Sequence, residues 1–345
     1  MRDNDLPLWA LESQDSVKDF DMVAFTIGYE MSYSNILNML RLSGIPLHAR
    51  DRHGLHNMVF AGGVCAFNPE PPAEFVDFFS LGEGEEITVE ILDCYRQAKQ
   101  ENWEKERFLQ AVSKIPGVYV PSFYTHTYDE NGVLTAVTPV PGAPETVTKR
   151  IVENLDTAYF PTEMIVPSTE IVHDRANLEV FRGCIRGCRF CQAGFSCRPV
   201  RKKSPEVLYD QAVKLMEQTG FNEVTLSSLS TSDYRGLKAL TDELLPYCEA
   251  NHISLSVPSL RADNFSRELM EKLQAVRKSG LTFAPEAGTQ RLRDVINKNL
   301  TEEEILSTCT QAFAGGWNSV KLYFMLGLPT ETDEDVLGIA ELVYK

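Results

Sequence analysis

The chain has 345 residues, 43% hydrophobic and 24% charged, a globular composition that can bury a sizeable core and divide into about two domains. Its formal net charge of −16 disfavours nonspecific attraction to nucleic acid or an acidic membrane. No apolar run approaches the ~18 residues of a membrane span, and residues 1–5 lack the apolar core of a signal peptide, so a cytoplasmic setting is expected, where eight cysteines argue for metal or catalysis before disulfides.

Taken in chain order, residues 21–27 read as a buried strand. A helix follows with Ile36, Leu37, Met39, Leu40 and Leu42 on its apolar side, ended by Gly44. Residues 58–63 form a second strand running into a glycine turn. A third strand, 75–80, leads to a helix over 85–99. Alternating strand and helix predicts a small parallel α/β domain over residues 1–110. Residues 111–175 read as a wrapping linker, rich in proline. A hairpin is expected around Asp129, Asn131 and Gly132, where Asn-Gly favours a tight primed turn. From residue 176 the alternation resumes. Strands are expected over 178–181, 223–228, 253–257, 281–285 and 319–326. Helices are expected over 205–219, 235–249, 266–277, 289–296, 302–314 and from 333. Five βα units result, each with a loop at the carboxyl end of its strand, where active sites of such folds gather.

Three cysteines cluster in that first loop as Cys184-Ile-Arg-Gly-Cys188-Arg-Phe190-Cys191. Gly183 and Gly187 allow the backbone to turn tightly around a metal centre. Three ligands to a four-iron cube leave one iron open to chelate a small molecule. Arg182, Arg186 and Arg189 place positive charge beside the thiolates. Zinc is the rival metal, with Cys197 as a fourth ligand, in a structural or scaffold domain without catalysis. A scaffold that holds a cluster structurally is a further alternative.

The spacing C-x3-C-x-aromatic-C after the first strand of a βα barrel resembles the radical S-adenosylmethionine (radical SAM) superfamily, with Phe190 as the aromatic residue. That resemblance implies a partial (β/α)6 radical SAM barrel over residues 176–345, with Cys184, Cys188 and Cys191 holding a [4Fe–4S] cluster. It further implies that an external electron donor reduces the cluster, which cleaves S-adenosylmethionine to a 5′-deoxyadenosyl radical acting on a substrate the sequence does not identify. Cofactor contacts follow by place: Ser227 and Ser228 after the second strand, Arg261 after the third, Glu286 after the fourth and Gly327 after the fifth. The serines stand where the family commonly has glycine-glycine-glutamate. Arg261 suits the cofactor carboxylate, because planar forks bind carboxylates well.

The N-terminal half resembles the small flavodoxin-like, cobalamin-binding-type domain that precedes many radical enzymes. The whole chain resembles an uncharacterised bacterial family of this kind, with Arg182 to Gly194 as its signature. Cobalamin is nevertheless not expected. The loop after the first strand, Gly28-Tyr-Glu30-Met-Ser-Tyr33, lacks the histidine of true binders, and Asp51-Arg-His53-Gly-Leu-His56 matches their motif in letters only. A family barrel has six βα units and five are visible, so both the barrel and the N-terminal domain are expected to be incomplete. A basic segment, Arg198 with Arg201, Lys202 and Lys203, leaves a nucleic-acid substrate possible against an unfavourable net charge, and no membrane partner is expected.

Overall fold

The computed structural model describes residues 1–4, 6–169, 171–258 and 280–345. The chain divides into two compact units, Met1–Val152 and Glu153–Lys345.

In the first unit, β1 (Met22–Thr26), β2 (Met58–Gly62) and β3 (Phe78–Ser80) pair in parallel, and β4 (Val118–Tyr119) closes the sheet antiparallel to β3. The strands lie in simple chain order, β1-β2-β3-β4. Helices cover both faces, so alternate strand residues feed separate cores. Phe78 packs with Ile87, Ile91 and Tyr95 of α2 (Gly84–Gln100) and Phe108 of α3 (Lys105–Val112). Its neighbour Phe79 packs the other way, with Ile36 and Leu40 of α1 (Tyr33–Leu42). The two-residue β4 is too short to carry a periodic signal and was not expected.

A buried charge network fixes the entry to β2 and β3. Asp77 accepts from the Val59 backbone N–H (2.7 Å) and from Arg52 Nε (3.0 Å), while Lys105 Nζ lies 2.6 Å from its other oxygen. The remaining Arg52 donors bind the carbonyls of Pro46, Leu47 and Phe75. Pairing of the Asp77 carboxylate with Arg52 and Lys105 is what makes such burial tolerable.

The hairpin forms from β5 (Tyr124–Tyr128) and β6 (Leu134–Pro139), inside the first unit, but without the expected primed turn. The type I′ turn that Asn-Gly favours needs left-handed backbone at both central residues; only Gly132 has it, at φ 75°. Asp129 is the reason. Its carboxylate accepts the backbone N–H of Asn131 (2.9 Å) and Val133 (2.8 Å), which stabilises a wider loop.

In the second unit, β7 (Ala176–Glu179), β10 (Glu223–Ser227) and β11 (Ser254–Ser256) form one parallel sheet in the order β11-β10-β7, and β12 (Leu281–Glu286) pairs in parallel with β13 (Val320–Phe324). Around them lie α5 (Pro205–Thr219), α6 (Leu237–Ala250), α7 (Gln290–Val295), α8 (Glu302–Ala314) and α9 (Asp333–Tyr344). The predicted helix over 266–277 falls outside the described residues. Capping residues explain several boundaries. Ser204 caps α5 with Pro205 in its first turn, and left-handed Gly220 ends it. Thr301 and Glu304 form a capping box on α8. Leu178, Leu226, Leu240, Leu255 and Phe283 share one core with these helices. The fold is therefore α/β in both units. Among the described residues, no helix is long and apolar enough to cross a membrane.

Candidate functional site

The cysteine loop leaves the carboxyl end of β7. Its two ends are zipped together by β8 (Phe181–Arg182) and β9 (Arg201–Lys202), which pair antiparallel, so residues 183–200 form a closed excursion. Gly183, at φ 88°, sits at the neck. A Cβ there would lie 2.9 Å from the Pro199 carbonyl and 3.0 Å from that of Cys197, so only glycine fits. Gly187 turns the loop again at φ 73°. Cys188 is buried, and Cys184 and Cys191 are partly so. The Gly194 backbone N–H donates to Cys191 Sγ at 3.3 Å, at the start of the short helix α4 (Ala193–Ser196). All eight cysteines are free thiols. Phe190 is exposed at 38%.

The three loop arginines bind partners on the protein. Arg182 forks onto Glu179 through two 2.9 Å hydrogen bonds. Arg186 forks onto Asp233, with Nε at 2.8 Å from one oxygen and Nη2 on the other. Arg189 donates its backbone N–H to the Ile296 carbonyl (2.9 Å) and its guanidinium to that of Val295. The positive charge expected beside the thiolates is thus partly neutralised by Glu179 and Asp233. Part of the basic segment is also engaged. Lys203 is buried, its Nζ 4.0 Å over the Phe160 ring and 2.9 Å from Gln211 Oε1, and Arg198 lies over Phe195.

Ser227 ends β10 opposite Glu179, and its carbonyl accepts the Val180 N–H at 2.9 Å. This places it beside the root of the cysteine loop. The Ser228 hydroxyl is 2.8 Å from that of Thr231, and Ser230 donates to Asp233 at 2.7 Å. Arg261 lies outside the described residues. Glu286 ends β12 in left-handed backbone, φ 69°, a strained state for a residue with a side chain. Its carboxylate is 3.1 Å from Lys298 Nζ, and its carbonyl accepts from Met325 N–H at 2.8 Å. Gly327, at φ 80°, donates its N–H to Glu331 at 2.6 Å.

Several positioning residues escape sequence reasoning. Arg293 is fully buried and donates to the carbonyls of Ala287 (3.0 Å), Gly288 (3.1 Å) and Leu300 (3.0 Å), so it holds the turn after Glu286; burial lowers its pKa. Asn297 donates to the Gly187 carbonyl. Asn297 and Lys298 therefore join the cysteine loop to the Glu286 turn in consecutive contacts. The one available signal was the polar run Asn297-Lys298-Asn299 directly after a helix.

Three thiols on one tightly turned loop are a donor set that fits a four-iron cube with one iron left open.

The comparisons agree with this picture. The family model for the N-terminal region of radical SAM proteins matches residues 1–121, and that of the radical SAM superfamily matches residues 178–343. An uncharacterised protein of Methanocaldococcus jannaschii is 31% identical over 100% of this chain and 67% of its own length. The threonylcarbamoyladenosine tRNA methylthiotransferase of Aquifex aeolicus is 28% identical, over 47% of this chain and 40% of that protein. Among solved structures, the radical S-adenosylmethionine methyltransferase TsrM from Kitasatospora setae, with cobalamin and a [4Fe–4S] cluster bound, has a TM-score of 0.59 at 14% identity, covering 94% of this chain and 61% of that one. Two family models matching in order, and a likeness that runs the whole length of the chain, place this protein in the radical SAM superfamily.

Proposed function

We propose that Cys184, Cys188 and Cys191 hold a [4Fe–4S] cluster with one open iron, and that S-adenosylmethionine is held beside it by Ser227, Ser228, Glu286 and Gly327. Phe190 flanks the cluster, and Arg261 serves the cofactor carboxylate. The observation that carries the reading is the zipped, glycine-turned loop presenting three thiols beside the carboxyl end of β10. When bound and reduced by an external donor, the cluster supplies the electron that breaks a sulfonium C–S bond. The protein's own contributions are positional. The Gly194 N–H orients the Cys191 sulfur, and Glu286 presents a carboxylate to the cofactor's cationic or hydroxyl groups from a strained backbone that Arg293 holds in place. Eight free thiols support a reducing compartment, the cytosol.

Of the basic segment, Lys203 is buried, while Arg198 and Lys202 are exposed and open to a substrate. Methylthiolation, methyl transfer and rearrangement all share the same first step. Two observations pull in opposite directions on cobalamin. His53 precedes β2, at the opposite end of the strand from the loop after β1, which speaks against a protein-ligated cobalamin. The TsrM structure, whose fold this chain shares, holds cobalamin, which speaks for one. Titration of anaerobic protein with hydroxocobalamin decides it: a saturable spectral change means binding.

The reading is tested by anaerobic reconstitution. The expected result is a brown protein with iron and sulfide at cubane stoichiometry, lost in Cys188→Ala. A colourless wild-type protein with one tightly held zinc would replace this reading with the zinc one.

A further inference from the structure

Arg186 lies between Cys184 and Cys188, on the arm of the loop that must carry both thiols to one cluster. Its guanidinium makes a two-pronged contact with Asp233, which stands in the turn after β10 and is nearly buried. Asp233 also accepts from Ser230 at 2.7 Å, so it is itself held in orientation. Such paired forks fix geometry as well as charge. Asp233 follows the strand end that carries Ser227 and Ser228, and its carboxylate faces the cysteine loop.

We propose that Arg186 and Asp233 are a positioning pair for the cluster, a role that rests on the cluster-binding reading above. Asp233 fixes Arg186, and Arg186 fixes the separation of Cys184 and Cys188 before iron arrives. Both side chains act through the path of the loop. The pair makes the turn after β10, which carries Ser227 and Ser228, report directly on the cysteine loop. Outer residues that orient metal ligands typically change metal affinity by about 10–100-fold when removed.

The test uses the whole protein with Asp233→Asn, Arg186→Ala and the double variant, alongside Asp233→Glu. Each is reconstituted anaerobically, its melting temperature is recorded, and iron loss to a chelator is timed together with the EPR spectrum of the reduced cluster. The expected result is iron loss about tenfold faster in each single variant. The double variant should be no worse than either single, since both remove one interaction. Asp233→Glu should restore slow loss, and the EPR spectrum should change in the variants without a matching fall in melting temperature. Additive effects, or iron loss as slow as wild type in a folded Asp233→Asn, would overturn the pair. Slow iron loss with a weakened response of the spectrum to S-adenosylmethionine would overturn it in favour of direct cofactor contact by Asp233. A wild-type protein that takes up no cluster overturns the parent reading, and the pair with it.

Discussion

The Asn297 side-chain amide donates to the carbonyl of Gly187 at 2.9 Å, across 110 residues of chain. It meets the loop one residue before Cys188, on an arm that Arg186 also anchors. Replacing Asn297 with Ala leaves that carbonyl without this donor, at a cost of about 1 kcal/mol. A small fall in the urea midpoint, with an iron-loss rate raised severalfold, is the expected outcome. An unchanged loss rate in the loaded protein would show that the loop holds its path without Asn297.

Arg293 offers a larger effect. Its buried guanidinium serves the carbonyls of Ala287, Gly288 and Leu300. Arg293→Met keeps volume but strips these acceptors, each worth roughly 1–3 kcal/mol when stranded. We expect a loss of about 3 kcal/mol or more in urea unfolding. The cluster should still form, because the thiols are elsewhere. Binding of S-adenosylmethionine should weaken, because Glu286 loses its support; calorimetry on the loaded variant measures this.

Gly288 is required by close packing. A Cβ there would lie 2.2 Å from the Ile339 nitrogen and 2.4 Å from the Gly338 carbonyl carbon, backbone atoms of α9 that cannot swing aside. Gly288→Ala should cost at least about 1–3 kcal/mol by overpacking. A variant that melts with wild type would refute the contact between this turn and α9.

Asp335 gives a pH signature. Hydrogen bonds from Arg291 and then Thr289 hold its carboxyl below the ordinary 3.8, and Thr332 adds to the effect. A depressed pKa stabilises the fold at pH values above the ordinary one, and that contribution fades as pH falls through the folded-state value. Asp335→Asn should therefore melt earlier than wild type at neutral pH, and the gap should narrow as pH drops below about 3.8. A gap independent of pH would mean that the carboxylate charge is not what ties α9 to Thr289.

The contrast between Gly183 and Asn297 shows what the sequence could reveal. Cysteine spacing and the adjacent glycines are local, so the tight turn at Gly183 is legible in the sequence, as are the periodic strands and helices. Asn297, Arg293 and Asp233 act through contacts set by how βα units stack, and nothing near them in sequence marks the partner. The hairpin turn departs from the Asn-Gly preference because Asp129 outcompetes it with its own hydrogen bonds. The strand β4 has two residues, too few for a pattern.

The central claim is most directly tested by mixing anaerobic, cluster-loaded protein with a strong reductant and S-adenosylmethionine and measuring 5′-deoxyadenosine by chromatography. The account predicts reductant-dependent formation of 5′-deoxyadenosine that disappears in Cys188→Ala. Folded, fully loaded protein that yields none, with no other reductive cleavage product, would contradict it.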